Sequence, residues 1–205
     1  MPAPAFTSSA LRFPSTAATI RFMSGRVATL VGTLILGVAV AGTSAPSAVP
    51  TICRMSSFFL QLGPYVSEAT GQHTLALRLV SRSVSSCILT GYPSVRLSDR
   101  AGAIPFLIRH GGDQMITSRP PTRVLVRRGR TVSVFVVLNH YRCDRGGLRA
   151  ATAVNIGLPA HPHSGTASLR ITDPYRMPNY CGPGDPGSIL TVSPFEPTLR
   201  AALRR

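Results

Sequence analysis

Apolar side chains recur at every second position through several segments of this chain, and this period constrains the fold more than any other feature. In residues 73–80, every second residue from Leu75 to Leu79 is leucine. A two-residue period places alternate side chains on opposite faces of a β-strand. The same alternation predicts four further strands, at residues 95–98, 104–108, 131–138 and 152–158, and weaker candidates at residues 58–62, 123–126, 167–171 and 189–192.

The number and spacing of these segments predict the class of fold. Gly, Pro and Asp residues separate about nine short segments, and no helical stripe of about twelve residues occurs between them. Residues 131–138 are apolar on both faces, as a central strand requires. We therefore expect an all-β, antiparallel, immunoglobulin-like sandwich in a single domain over residues 49–205, with a β-barrel as the alternative.

The N-terminal residues have the order of a secretory signal. Residues 27–41 form an uncharged, mostly apolar run, which follows three arginines and is followed by small residues up to residue 48. The run is about fifteen residues long, short of the roughly twenty that cross a bilayer. We expect residues 1–48 to be a signal peptide, cleaved within 41–48, with the true start at Met1 or Met23. The protein would then be secreted or held at the cell envelope.

Two other uses of this segment compete with cleavage as a signal peptide. If the leader is not cleaved, the uncharged stretch that continues to Ile52 is long enough to anchor the protein by a single membrane span. Attachment of a lipid at Cys53 is disfavoured, because the three residues before it, Pro50, Thr51 and Ile52, form a poor lipobox. We therefore expect no lipoprotein.

The cysteines agree with export. An even number of cysteines in an exported chain predicts two disulfides, here formed by Cys53, Cys87, Cys143 and Cys181. Of the three connectivities, the sequential one, Cys53 with Cys87 and Cys143 with Cys181, needs the least crossing of the chain. Each bond should stabilise the fold by roughly 3 to 4 kcal/mol. A zinc site is disfavoured, because no Cys-x-x-Cys pair occurs.

A short motif begins at the second cysteine, where residues 87–93 read CILTGYP. Gly91 permits a bend at the end of a strand, and Tyr92 and Pro93 fix the turn into the next strand. This Cys-x-Leu-x-Gly-Tyr-Pro run resembles the hallmark of an actinobacterial secreted domain family of unknown function, which is common on exported proteins and lipoproteins. The resemblance extends over about residues 53–195 and implies a fold, not a reaction.

Motifs that would indicate catalysis are missing from the sequence. It has no Gly-x-Ser-x-Gly, no His-Glu-x-x-His and no phosphate-binding glycine loop. His161 and His163 fit a polar turn better than a metal site, because no third ligand follows nearby. Tyr92 fits an aromatic anchor of the core better than a ring that stacks on a ligand. We therefore expect no enzymatic activity and no cofactor.

Positive charge is the feature that bears most on function. The formal net charge is +15, and without residues 1–48 it is about +12, from 19 arginines and seven acidic residues. Five arginines cluster around an expected hairpin and are candidates for anion binding: Arg119, Arg123, Arg127, Arg128 and Arg130. Lipid headgroups and wall polymers are the abundant polyanions outside a bacterial membrane, and export disfavours nucleic acid as a physiological partner. The competing interpretation is that these arginines only solvate strand faces and protect sheet edges.

These features together predict a secreted or envelope-associated, noncatalytic β-sandwich with a binding or structural role and a basic face toward anionic envelope components. An exported hydrolase with an unrecognised site is one alternative, and it would require a pocket in which a histidine meets a serine and an aspartate. A membrane-tethered module with an uncleaved leader is the other. No ligand and no oligomeric state follow from the sequence.

Overall fold

The computed structural model describes residues 51–82, 85–127 and 133–204. The predicted signal peptide, its cleavage site and the two arginines Arg128 and Arg130 lie outside the described residues. Within the ranges that the structure describes, no helix is long and apolar enough to cross a membrane.

Short strands account for most of the regular structure. In the described residues they are β1 (Thr51–Ile52), β2 (Phe58–Leu62), β3 (Gln72–Ser81), β4 (Cys87–Leu89), β5 (Ser94–Asp99), β6 (Gly102–Ala103), β7 (Leu107–His110), β8 (Val124–Val126), β9 (Ser133–Tyr141), β10 (Arg149–Ala150), β11 (Ala153–Gly157), β12 (Thr166–Arg170), β13 (Asn179–Tyr180) and β14 (Ile189–Val192). Helical structure within these described residues is limited to α1 (Leu199–Ala202) and to 3-10 turns at Met55–Ser57, Pro162–Ser164, Pro174–Arg176 and Pro186–Ser188.

Two sheets enclose the main core. The larger has the strand order β2-β3-β9-β14-β7, and the second has the order β12-β11-β5-β6. Leu77 and Val136 of the first sheet and Leu97 and Ile156 of the second belong to one buried cluster. Two smaller sheets, β1-β4-β8 and β10-β13, complete the fold. The prediction of an all-β sandwich is confirmed, and its immunoglobulin-like form stays a prediction.

The strand predictions agree closely with the structure where the alternation is uninterrupted. Those at residues 58–62 and 189–192 coincide with β2 and β14. Those at residues 73–80, 95–98 and 152–158 match β3, β5 and β11 within two residues at each end. Of the prediction at 131–138, residues 131 and 132 lie outside the described part, and the rest belongs to β9. As expected for a central strand, β9 is paired on both sides, by β3 and by β14.

The strand expected at residues 104–108 is wrong, because the chain changes sheet there. The N–H of Ile104 still donates to Leu97 O in the second sheet, at 2.9 Å. Pro105 has no N–H to continue this pairing, and the N–H of Phe106 donates to Ile104 O in a tight turn. From Leu107 the chain runs as β7 in the larger sheet, parallel to β14. Together with β1 and β4, this pair departs from the antiparallel arrangement that the sequence predicted.

The outer face of the larger sheet carries a second, smaller apolar cluster. Ala76 of β3 and Val137 of β9 are direct cross-strand partners and are fully buried there. They are covered by Ile116 and by Ala202 of α1. The covering segments are tied together, because Thr117 N donates to Ala202 O at 3.1 Å.

Both disulfides follow the sequential connectivity that the sequence favoured. Cys53 bonds Cys87 within the main core, where both side chains are buried and where β1 lies beside β4. Cys143 bonds Cys181 and ties the end of β9 to the segment after β13, where both side chains are only partly buried. None of the four cysteines is free, so the zinc alternative is wrong.

Candidate functional site

The three described arginines that were predicted to bind anions lie before and after an edge strand. Arg119, Arg123 and Arg127 are exposed, and the last two flank β8. We call residues 119–127 the basic segment. The hairpin expected here is wrong, because β8 pairs with β4 whereas both edges of β9 are occupied by β3 and β14. The basic segment is therefore an edge of the small sheet β1-β4-β8.

Carboxylates neutralise few of the arginines. In the described residues, two arginines form ion pairs with acidic side chains, namely Arg142 with Glu68 and Arg149 with Asp99. The second pair is bidentate, with Arg149 Nε 2.7 Å from Asp99 Oδ2 and Nη2 2.5 Å from Oδ1. The hydrogen bonds from Arg149 lower the pKa of Asp99 to about 2. The three arginines of the basic segment form no ion pair with any described residue, so their charge faces solvent.

The Gly-Tyr-Pro motif serves as a structural joint. Gly91 has a φ of 84°, and its carbonyl oxygen accepts a hydrogen bond from Phe195 N at 3.1 Å. The Tyr92 ring stacks on His110 at the end of β7, with centroids 4.5 Å apart and an angle of 8° between the planes. Pro93 is buried. The motif therefore joins the β4–β5 turn to the larger sheet, and one face of Tyr92 is already covered.

His161 and His163 are exposed beside an open depression of about 400 Å³ that Arg54 also lines. The part of the chain that the structure describes holds no cluster of three or more His, Cys, Asp and Glu side chains arranged to bind a metal ion.

A row of polar side chains that the sequence analysis did not single out crosses the outer face of the larger sheet. In register, Thr74 of β3 lies beside Asn139 of β9, Asn139 beside Thr191 of β14, and Thr191 beside Arg109 of β7. Gln72 lies on the same face of β3, two residues from Thr74. Except for Arg109, these side chains are almost completely buried. A polar row therefore extends over four strands on a face that is apolar one step further along, at Ala76 and Val137.

A cleft of about 330 Å³ opens over this row. Gln72, Asn139 and Thr191 line it from the sheet, and Arg109, Asp113 and Arg204 line it from the surrounding segments. Arg109 and Arg204 are exposed, so two guanidinium groups lie at its rim above a buried polar floor. We call this the polar cleft.

Hydrogen bonds fix the side chains of the floor. Asn139 Nδ2 donates to Gln72 Oε1 at 2.6 Å and to Asp113 Oδ2 at 2.8 Å, and Asn139 Oδ1 accepts from Thr74 Oγ1 at 2.7 Å. The other oxygen of Asp113 accepts from the backbone N–H groups of Met115 and Ile116. Three donors thus satisfy the Asp113 carboxylate, and it holds the loop over the sheet.

Two histidines lie back to back with this row, on the inner face of the same strands. His73 and His140 are cross-strand partners with ring centroids 5.2 Å apart, and Phe106 packs against His140. His140 Nδ1 donates to Tyr141 O at 2.6 Å, whereas Nε2 of each ring is buried and has no hydrogen-bond partner among the described residues. Burial lowers the pKa of His140 to about 4, and it also lowers that of His73. Both rings are therefore neutral near pH 7.

Hydrogen-bond donors next to these rings keep the acidic side chain of Glu68 ionised. Burial of Glu68 acts to raise its pKa, but the hydrogen bonds from Thr74 N and from Arg142 outweigh this effect, so the pKa is lowered. His73 Nδ1 lies 3.4 Å from Glu68 Oε1. These groups tie the loop before β3 and the start of β3 to the loop after β9.

One signal in the sequence could have indicated the polar cleft. Asn139 and His140 directly follow the apolar run that ends at Leu138, although β9 continues through them to Tyr141. Buried amides inside a central strand need fixed partners and are often part of a polar network. The partners Asp113, Arg109 and Arg204 gave no such signal, because they come from distant segments.

Comparisons of the chain with models of known protein families, with curated proteins and with solved structures give no match.

Proposed function

We propose that the protein is a secreted or envelope-associated, noncatalytic binding module whose arginine-rich surface faces anionic components of the cell envelope. The observation that carries this proposal is the near absence of ion pairs among the described arginines, of which only Arg142 and Arg149 pair with carboxylates. The two disulfides support an oxidising environment, because such bonds rarely persist where thiols are kept reduced.

The unpaired charges supply the physical basis for binding. Arginines that form no ion pair create a positive potential that attracts polyanions and raises their local concentration. Of the three in the basic segment, Arg119 also acts electrostatically on Glu196, where it opposes the rise in pKa that burial causes. Arg119, Arg123 and Arg127 extend over a short edge segment, so they can approach a flat anionic surface together. The attraction is screened over about 8 Å at physiological ionic strength, and we therefore expect binding to weaken with salt.

The noncatalytic part of the proposal is supported by the roles of the polar residues in the polar cleft. The Asp113 carboxylate accepts hydrogen bonds from Asn139 and from two backbone N–H groups, and none of its donors is a histidine. His140 donates from Nδ1 to a backbone carbonyl and not to a carboxylate. Among the described residues, neither Asp113 nor His140 has the partner that it would need in a Ser-His-Asp triad.

Cosedimentation tests the proposed surface. The full protein is mixed with phosphatidylglycerol vesicles, with neutral phosphatidylcholine vesicles and with purified cell wall, and the bound fraction is measured. Each arginine near an anionic membrane contributes about 1 kcal/mol, so replacing Arg119, Arg123 and Arg127 by Ser should lower the partition coefficient roughly a hundredfold. The triple change of Arg96, Arg100 and Arg170 to Ser is the matched control, because it removes the same charge from exposed positions elsewhere.

We expect the control to retain most of the binding. Equal binding by the basic-segment variant and the wild type would contradict the proposed surface, and equal losses in the two variants would show that only net charge matters. Retention by the cell wall alone would identify a wall polymer and not a lipid as the partner.

Release from the membrane is part of the same proposal. Cleavage within residues 41–48 would leave a mature chain that begins shortly before β1. N-terminal sequencing of protein isolated from cells measures this directly. A native N-terminus at Met1 or Met23 would instead favour the membrane-tethered alternative.

A further inference from the structure

The polar cleft presents unused hydrogen-bond donors as well as two positive charges. An ionised carboxylate can only accept, so Asp113 requires the NH₂ group of Asn139 on its side. That NH₂ group also donates to Gln72, which must therefore turn its carbonyl oxygen toward Asn139. The network thereby assigns the orientation of both amides, and it leaves Gln72 Nε2 as a donor that bonds no described residue.

The hydroxyl of Thr191 is a second donor on the floor of the cleft that has no partner among the described residues. Thr191 lies between Asn139 and Arg109 in register, and its hydroxyl forms no hydrogen bond with another described residue. Gln72 and Thr191 are only 2% and 4% exposed, and both line the cleft. In the described residues, neither donor atom is among the fully buried polar atoms that lack a partner, so both reach the solvent of the cleft and can donate to water or to a ligand there.

The charges at the rim define what such a ligand must carry. Arg109 and Arg204 contribute two positive charges, Asp113 contributes one negative charge, and His140 is neutral because its pKa is about 4. The lining therefore has a net charge of about +1, which one monoanionic group would balance. Arg204 is positioned for this role, because its Nη1 donates to Asp113 O at 3.1 Å and fixes the side chain over the loop.

We propose that the polar cleft binds the carboxylate of a small ligand, with Arg109 and Arg204 pairing its charge and with Gln72 Nε2 and the Thr191 hydroxyl donating to its oxygens. Guanidinium groups bind a planar carboxylate through two parallel hydrogen bonds. A phosphodiester is also monoanionic, but its phosphate carries two substituents, and the cleft would have to accommodate both. A carboxylate carries one substituent, so it can enter the cleft with its two oxygens first. The two negative charges of a phosphate monoester would exceed the net positive charge of the lining. They would also be repelled by the Asp113 carboxylate.

The size of the cleft limits the ligand to about one residue of a polymer. Its volume of about 330 Å³ lies at the low end of the range for ligand pockets, which is roughly 300 to 1,000 Å³. A terminal uronic acid and the C-terminal residue of a peptide both present a carboxylate on a body of this size. This site is independent of the basic segment and of the proposed envelope binding.

Titration followed by NMR tests the site. The disulfide-bonded protein is titrated with D-glucuronate, N-acetyl-alanine and inorganic phosphate at about 0.15 M salt, where long-range attraction is screened. We expect one or both carboxylates to shift the backbone amides of Arg109, Gly112 and Thr191 in a saturable way, and phosphate to bind more weakly. The carboxylate that binds more tightly distinguishes a sugar acid from a peptide terminus.

Three variants connect the binding to the named groups. Arg109→Gln and Arg204→Gln each remove one charge, and Gln72→Glu replaces the free NH₂ group by an oxygen of the same size. Each should weaken carboxylate binding at least about tenfold. Arg200→Gln is the matched control, since Arg200 is exposed on α1 and does not line the cleft, and it should bind as the wild type does.

Several results would overturn this assignment. One is the absence of saturable binding by either carboxylate, and another is tighter binding of phosphate than of the carboxylates. A third is unchanged carboxylate affinity in Arg109→Gln and Arg204→Gln. These two variants alter exposed side chains and should fold normally. The variant with Ser at positions 119, 123 and 127 should keep carboxylate binding. Unchanged envelope binding by this variant, together with intact carboxylate binding, would therefore contradict only the first proposal.

Discussion

The inner and outer faces of the β3–β9 strand pair differ in what they contribute, although the same two strands supply both. On the inner face Leu75, Leu77 and Leu79 lie opposite Leu138, Val136 and Val134, and all are at most 1% exposed. On the outer face the corresponding pairs are Thr74 with Asn139 and Ala76 with Val137. Large aliphatic side chains thus fill the main core, whereas the outer face combines a small apolar cluster with a polar network. The large aliphatic contacts are therefore concentrated on one face, and the groups of the proposed carboxylate site lie on the other.

The largest expected effect comes from the inner face. Leu77→Ala should lower the free energy of unfolding by about 4 kcal/mol, because it removes buried methyl groups and leaves a cavity. Val137→Ala is the matched change on the outer face and should cost about 2 kcal/mol, since fewer methyl groups are lost. Urea denaturation measures both. Equal costs would contradict the proposed division between the faces.

Acid should destabilise the inner face through His140. Its folded pKa of about 4 lies below the ordinary value of 6.5, so between these values the unfolded chain binds more protons than the folded one. Stability is therefore complete above pH 6.5 and falls by about 3 kcal/mol as the pH drops to 4. Urea denaturation at a series of pH values measures the loss.

A variant identifies the group responsible. His140→Phe keeps a ring beside Phe106 but cannot bind a proton, so the pH dependence between 6.5 and 4 should flatten, with a residual slope from His73, whose pKa is also lowered. His161→Gln, at an exposed turn, is the control and should retain the wild-type slope. An unchanged slope in His140→Phe would refute this explanation.

On the outer face, the polar network should contribute less to the free energy of unfolding than the aliphatic core does, but more than a surface contact does. Asn139→Leu leaves Asp113, Gln72 and Thr74 without their shared partner and should lower the free energy of unfolding by about 2 kcal/mol. Thr74→Val breaks only the bond to Asn139 Oδ1 and should cost about 1 kcal/mol. If Asn139→Leu proves neutral in thermal unfolding, the network does not stabilise the outer face.

A comparably small effect is expected at the turn that leads from β7 into the loop over the outer face. Gly111 has a φ of 61°, and a Cβ there would lie 2.7 Å from the Tyr92 hydroxyl oxygen. Gly111→Ala should therefore cost about 1 to 2 kcal/mol, from backbone strain and from displacement of Tyr92. Gly71→Ala has a similar φ of 73° but open space around it, so it measures the strain alone. Equal costs would show that Tyr92 moves freely.

The alternation of apolar residues predicted the positions of the strands well, but it predicted poorly which strands pair with one another. The alternation in residues 73–80 located β3 and indicated which side chains share a face, because the period depends only on the backbone of that strand. The connection at residues 104–108 shows the limit. Ile104, Phe106 and Ile108 alternate as in one strand, yet Pro105 interrupts the pairing and β7 joins the other sheet. The alternation within a strand carries no information about which other strand pairs with it.

The candidate sites divide in the same way. The arginines of the basic segment were predictable, because charge density along the chain needs no knowledge of the fold. The polar cleft was not, since its row is assembled from Thr74, Asn139, Thr191 and Arg109 on four different strands. Of these positions, only Asn139 interrupts a strongly apolar run, and a single buried amide does not identify its partners.

By itself the sequence determined the strand periodicity, the all-β class, the even cysteine count and the excess of positive charge, because each depends on residues near one another or on composition alone. The tertiary structure decided the strand order, the parallel pairing of β7 with β14 and the assembly of the polar cleft. The physical reason is that a strand can pair with any compatible edge. Its actual neighbour is set by how the whole core closes, and hence by contacts between residues far apart in the chain.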